Sequence, residues 1–293
     1  MIGAIGTLVF FALTPVFANR AAHRLGSLQA NFWRLLLAAG LLGAWAHVFG
    51  RGLGGGALGW FLAGGVVGFG IGGVAMFQSL PRLGSALSTL IVQCGAAVVA
   101  AVTEYGWLGT RLGAVSIAFA VLTLGGVVIG LLPRSLPRVS PTEWKAGLAW
   151  AFLSAAGQGV AAVMSRKAFA VAAAMAETVD PGSAAYQRAL GGLLVGAVVA
   201  GLAIWRGWDA PREKGRAWPW VLGNALTGPV AGVTCYQWAL RTTPAGIVQP
   251  IVAVAPLLTI PLAAWLEGAR PRATYYVGAV LAVVGVSGLM VWR

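Results

Sequence analysis

The ionisable side chains of this chain act as fences, and between them lie ten stretches close to the length a bilayer requires. Runs free of Asp, Glu, Lys and Arg extend over 1–19, 35–50, 52–81, 83–103, 112–133, 146–165, 189–205, 217–240, 242–266 and 273–292. About 20 apolar residues cross ~30 Å of hydrocarbon at ~1.5 Å per residue. The runs show no two-residue alternation, which argues against barrel strands, and uninterrupted apolar segments satisfy their backbone groups internally as helices. The sequence therefore predicts an all-α integral membrane protein with ten transmembrane helices. Composition agrees: 59% of residues are hydrophobic and 9% charged, where a soluble domain carries roughly a quarter charged. That hydrophobicity excludes disorder, and two cysteines exclude a disulfide scaffold. The first stretch lacks a basic leader and a small-residue cleavage site, so it reads as a span and not as a signal peptide. Connections are short, and only 166–188 and 206–216 leave room for more, too little for a soluble domain. The function is expected inside the bilayer.

Ten of the thirteen tryptophans, among them Trp33, Trp60, Trp107, Trp205 and Trp292, fall near segment ends as an interfacial belt. Trp150 and Trp238 do not, and stay open as site candidates. Basic residues divide thirteen against seven between the two sets of loops, which by the positive-inside tendency puts both termini outside. The net charge of +13 reads as a membrane-surface feature, since nucleic acid would need a solvated basic domain.

Sliding the chain by about 160 residues aligns Trp60 with Trp220, Gly68 with Gly228 and Gly72 with Gly232. After a one-residue slip, Phe77-Gln78 falls on Tyr236-Gln237. With a smaller offset Phe32-Trp33-Arg34 matches Tyr186-Gln187-Arg188. The expectation is a duplication, with a first five-helix repeat over 1–137 and a second over 138–293. Tandem halves with an odd number of helices cross the membrane in opposite senses, and such inverted repeats build a central cavity that permits alternating access.

Ten short-looped helices in this five-plus-five pattern resemble the EamA family of the drug/metabolite transporter superfamily. The residues that carry the resemblance are Ala12-Leu13-Thr14-Pro15-Val16-Phe17-Ala18-Asn19-Arg20 in the first segment, the two aromatic-X-Arg starts, and Leu266-Glu267-Gly268. Size and tryptophan content look closest to YddG-type exporters of aromatic amino acids. The resemblance implies a multi-pass protein of the bacterial inner membrane that exports amino acids and related compounds. Thr110-Arg111 departs from the Gly-Glu pair frequent in the family, and family members are usually drawn with cytoplasmic termini, against the charge count.

Polar residues in lipid are costly and therefore informative. Ser85, Thr89, Gln93 and Glu104 share a face of the fourth segment, and Gln249, Pro256 and Glu267 repeat this on the ninth. Ser154, Gln158 and Ser165 line the sixth, and Thr14 and Phe17 belong to the first. Close helix packing explains many small and hydroxylated residues equally well. The amides Gln78, Gln93, Gln158, Gln237 and Gln249 favour a wet cavity, because each has four hydrogen-bond sites to fill. Pro15, Pro229 and Pro256 would kink helices at its border. No ionisable residue is expected in mid-membrane, which leaves Glu104 and Glu267 as the proton carriers, if protons take part. Without convergent Cys, His or carboxylates no metal site and no cofactor is expected, and without an intramembrane base no enzyme.

The expected substrate-binding set is Thr14, Phe17, Gln78, Thr89, Gln93, Gln158, Tyr236, Gln237 and Gln249, around a chamber lined by segments one, three, four, six, eight and nine. Hydroxyls and amides would hold an ammonium and a carboxylate while aromatic rings face an apolar side chain. The reading is export of small, partly apolar amino acids, aromatic ones favoured, by a monomer in a lipid bilayer. Carriage of nucleotide sugars would call for cationic side chains in the chamber, organic-cation efflux for an embedded carboxylate, and a passive pore for rings of charge.

Overall fold

The computed structural model describes residues 1–133, 139–208, 215–267 and 272–292, the side chains of 262–267 excepted. All regular structure among them is helical: α1 (Ile2–Leu25), α2 (Ser27–Phe49), α3 (Leu58–Gly65), α4 (Gly72–Leu108), α5 (Ala114–Leu131), α6 (Pro141–Ala174), α7 (Pro181–Trp205), α8 (Trp218–Ala225), α9 (Val233–Thr242), α10 (Ala245–Val252), α11 (Ala255–Glu267) and α12 (Ala273–Val291). Two π-helical turns, Val66–Ile71 and Leu226–Gly232, join α3 to α4 and α8 to α9. They stand at the same offset of 160 residues that aligns Gly68 with Gly228. Seven helical runs among the described residues are long and apolar enough to cross a membrane.

One of these runs, Leu58–Leu108, has 51 residues, far more than one crossing needs. Gly84 interrupts it at φ 76 and ψ 162, a conformation that only glycine adopts freely. Pro81 precedes the break by three residues and removes a backbone donor there. A second interruption, at Ala253 and Val254, separates α10 from α11, and Pro256 opens the helix after it. Pro229 lies buried within the second π-helical turn, whereas α1 runs unbroken through Pro15.

The helix starts correct one boundary expectation. Segment 166–188 is not a connection: α6 continues to Ala174, and α7 begins at Pro181. The reason is a local cap. The Asp180 carboxylate accepts from the Ser183 N–H at 2.9 Å, and Pro181 occupies the first helical position, where its missing N–H costs nothing. Ser140-Pro141 starts α6 in the same way. Charged residues that mark the edges of apolar runs therefore lie inside helices: Arg34 in α2, Glu104 in α4, Arg166 in α6 and Arg188 in α7.

The halves interlock reciprocally. Helix α1 packs on α8, the second π-helical turn and α9, while α6 packs on α3, the first π-helical turn and α4. The second helices, α2 and α7, pack together, as do α5 and α12. Close approach is built from small residues. The backbone of Arg188 lies so near Gly65 that a Cβ there has no room, and Gly126 and Gly278 bring α5 and α12 together in the same fashion. Exposed Val, Leu and Trp cover the outside, as expected of a surface facing lipid. The expected repeat junction at 137/138 lies outside the described residues.

Candidate functional site: arginines buried between the halves

The Arg188 guanidinium is a buried cation. It sits two turns into α7 and is only 4% exposed. Its Nη1 donates to Ser165 Oγ and to Gln237 Oε1, each at 3.1 Å. The guanidinium carbon stands 5.2 Å from the Phe69 ring centroid and 5.9 Å from that of Tyr236, within range of cation–π attraction. Phe69 belongs to the first π-helical turn, where a Cβ on Gly68 would stand 3.1 Å from Arg188 Nη2. Glycine thus makes space for the cation.

No carboxylate among the described residues lies within ion-pair distance of Arg188. Among the described residues its Nε has no hydrogen-bond partner, nor has Gln237 Nε2 beside it. A buried charge is tolerated when paired and fully hydrogen-bonded, and leaving it unpaired costs several kcal/mol. Two donors without acceptors next to an uncompensated cation, flanked by two aromatic rings, make a place suited to an acceptor-rich anionic group attached to an apolar body. The expectation of an interior without fixed charge is overturned here. The error lay in taking Arg188 as the end of a span.

The duplication supplies a counterpart. Arg34 on α2 donates from Nε to Asn31 Oδ1 at 2.9 Å and points to the second π-helical turn. A Cβ on Gly228 would stand 3.7 Å from Arg34 Nη1 and 3.3 Å from Thr14 Cγ2. Each half therefore sends an arginine from its second helix onto a π-helical glycine of the other half.

A third charged cluster holds the halves together. Glu104, 2% exposed on α4, pairs through Oε1 with Arg166 Nε at 3.1 Å, and its Oε2 accepts from the Gly246 N–H at 3.1 Å, at the start of α10. Arg166 Nη1 also donates to the Leu240 carbonyl at 3.0 Å. One carboxylate thus joins α4 to α6 and α10. A cavity of about 340 Å³ lies between the α4–α5 and α9–α10 connections, lined by Arg111, Ser116, Thr242, Thr243 and Ile247 among others.

The expected site residues divide among several clusters. Tyr236 and Gln237 stand at Arg188, and Tyr236 also meets Phe11 at 6.5 Å between ring centroids. Thr14 Oγ1 donates to the Phe10 carbonyl at 2.9 Å and lies 3.3 Å from Thr227 Oγ1, and Phe17 packs on Trp220. Gln158 donates to Ser154 Oγ, which itself donates to the Gly72 carbonyl. Gln78 accepts from Arg82, which pairs with Glu143 at 2.8 Å. Thr89 and Gln93 are half-buried on α4, and Gln249 is buried on α10, which packs against α4. The Glu267 side chain lies outside those described. Trp238 is 45% exposed, on the outside of the bundle, and Trp150 is half-buried. Arg34, Arg188, Asn224 and Arg166 were not expected as site residues. The aromatic-X-Arg pair of Phe32-Trp33-Arg34 and Tyr186-Gln187-Arg188 carried the signal for two of them.

No curated protein matches the chain. A solved structure described as "Crystal structure of protein" shares its fold, with a TM-score of 0.81 over 100% of this chain and 98% of that one, at 17% sequence identity. The model of the EamA-like transporter family matches twice, over residues 1–132 and again over 145–291. Together with its apolar helices, this makes the chain a multi-pass membrane protein that belongs to the EamA-like transporter family.

Proposed function

We propose that this protein carries small, partly apolar molecules bearing a carboxylate, with aromatic amino acids the favoured class, and exports them across a bacterial inner membrane. The observation that carries the reading is the uncompensated Arg188 guanidinium between the Phe69 and Tyr236 rings, with Arg188 Nε and Gln237 Nε2 left as free donors. A carboxylate would satisfy both donors and neutralise the cation, and an aromatic side chain would pack on the rings.

In this reading the chain crosses the membrane ten times. The 51-residue run turns at Gly84 into two crossings, and Trp218–Thr242 and Ala245–Glu267 add two more to the seven. Two five-helix halves of opposite orientation, 1–137 and 138–293, would then alternate access around the arginines. The doubled family match and the reciprocal packing of the halves support this. Glu104, tied to Arg166 and Gly246, fits an anchor better than a proton carrier, since both of its oxygens are engaged in joining α4 to α6 and α10.

The test is counterflow in proteoliposomes with labelled phenylalanine, a nucleotide sugar and methyl viologen, with and without a pH gradient. Phenylalanine should exchange saturably. Arg188→Gln should lower its uptake by about tenfold or more, the worth of a hydrogen bond to a charged group. Unchanged exchange in a folded Arg188→Gln protein, or preference for methyl viologen, would refute the reading.

A further inference from the structure

Four polar side chains around the second π-helical turn are unaccounted for by the site at Arg188. Among the described residues Arg34, half-buried, donates only through its Nε, to Asn31, and no carboxylate lies within ion-pair distance of it. Asn224, on α8 and 3% exposed, has an Oδ1 without any hydrogen-bond partner. Thr14 and Thr227 close the cluster with hydroxyls 3.3 Å apart. A Cβ on Gly228 would stand 3.3 Å from Thr14 Cγ2 and 3.7 Å from both Arg34 Nη1 and Asn224 Oδ1, so these groups converge on one glycine. A cation lacking a counter-ion and a buried acceptor lacking a donor, among the described residues, thus meet at one glycine. An acceptor that is buried without a donor costs free energy, and so does a cation that loses water without gaining a counter-ion.

We infer that Arg34 and Asn224 form a second ligand station, which binds the head group of a zwitterion: an anionic oxygen on Arg34 and an ammonium on Asn224 Oδ1. The inference rests on the reading that this chain carries amino acids. It adds a separate place where one binds, with a demand the first station lacks. At Arg188 both unpartnered groups are donors, so an anion alone satisfies them. At Arg34 the unpartnered buried group is an acceptor. A simple anion would leave Asn224 Oδ1 facing like charge, and a simple cation would face the guanidinium. Only a ligand carrying both groups within a few ångströms, as an α-amino acid does, resolves the pair. A π-helical turn, a geometry that recurs at binding sites, brings Gly228 to the spot, where no side chain stands between the two groups.

The experiment is arginine footprinting with phenylglyoxal on the full-length protein in lipid nanodiscs, read at Arg34 and Arg188 by peptide mass spectrometry. The probes are L-phenylalanine, 3-phenylpropionate, which lacks the ammonium, and phenethylamine, which lacks the carboxylate. L-Phenylalanine should protect Arg34, and protection by either of the other two should be weaker by about tenfold or more in concentration. Asn224→Leu should abolish the advantage of phenylalanine over phenylpropionate at Arg34 and leave protection of Arg188 unchanged. Asn224→Asp, which gives Arg34 an internal carboxylate, should remove protection of Arg34 by every probe and covers the case that the leucine variant does not fold. Equal protection of Arg34 by phenylalanine and phenylpropionate would overturn the inference, as would protection of Arg188 alone. In the latter case the transport reading survives. Protection of Arg34 by no probe would overturn the inference, and the counterflow experiment decides the transport reading separately.

Discussion

Replacing Glu104 by glutamine isolates the value of the clamp between the halves. The substitution preserves shape and leaves one carbonyl oxygen, so either Arg166 or Gly246 keeps an acceptor, while the other must face an NH2 group. Arg166 also loses its counter-charge. Removing one member of a buried ion pair costs about 3–5 kcal/mol, because the survivor stays desolvated without compensation. Here the carboxylate is 2% exposed, but the Arg166 side chain is 22% exposed and retains the Leu240 carbonyl. Water can reach the stranded guanidinium in part, which sets the loss near the lower end, about 3 kcal/mol. Removing both charges in Glu104→Gln/Arg166→Met should recover more than half of it, since an apolar side chain of similar length leaves no orphaned cation. Thermal unfolding of the purified proteins in one detergent measures the cycle. A single mutant as stable as wild type would refute the reasoning, and so would a double mutant whose loss is the sum of the two single losses.

Other outcomes follow from the same geometry. Gln237→Leu should raise the concentration of phenylalanine needed for half-maximal counterflow and leave folding intact, because Arg188 keeps Ser165; unchanged kinetics would remove Gln237 from the site. Gln78→Leu should change stability by less than about 1 kcal/mol, as its partner Arg82 belongs to a pair with the 52% exposed Glu143. Thermal unfolding checks this. Gly84→Ala should destabilise by about 1–3 kcal/mol even though a Cβ there meets nothing within 4 Å, because the cost lies in the backbone conformation and not in a clash. A neutral Gly84→Ala in the same unfolding assay would contradict a break at that residue.

Much of the fold is legible in the sequence because lipid imposes one requirement, continuous apolar helix, and charge interrupts it visibly. The same logic hid the site. Treating every charge as a boundary trims the first two turns from α2 and α7 and the last turns from α4 and α6, and those turns carry Arg34, Arg188, Glu104 and Arg166. The Asp180-Pro181 cap was readable and places Arg188 inside a helix without any structure. The partners were not readable. Arg188 meets Gln237 and Ser165 from 49 and 23 residues away in sequence, and Glu104 meets Arg166 across 62. The amides marked as cavity lining illustrate the limit in reverse. Gln78 and Gln158 have suitable chemistry, yet each closes a local bond four residues away along its own helix.

The reciprocity of the two arginine contacts carries a consequence for motion. Arg188 leaves the second half to rest at Gly68, and Arg34 leaves the first to rest at Gly228. If the halves rock as bodies, neither arginine can leave its glycine while the other stays. A Cβ on Gly68 would stand 2.8 Å from the Ala161 Cβ and 3.1 Å from Arg188 Nη2, closer than packing allows, whereas on Gly228 the nearest atoms are 3.3 and 3.7 Å away. Gly68→Ala should therefore cost about 1–3 kcal/mol as overpacking, and Gly228→Ala less. Independent sites add to within about 0.5 kcal/mol. Rocking halves should instead make the two substitutions compensate, since the shift that relieves Gly68 also opens the gap at Gly228. Counterflow rates of the wild type, both single mutants and the double mutant give the coupling directly. A sum within that margin would mean that the two arginines move separately, and that alternation in this chain does not proceed by rocking of the halves.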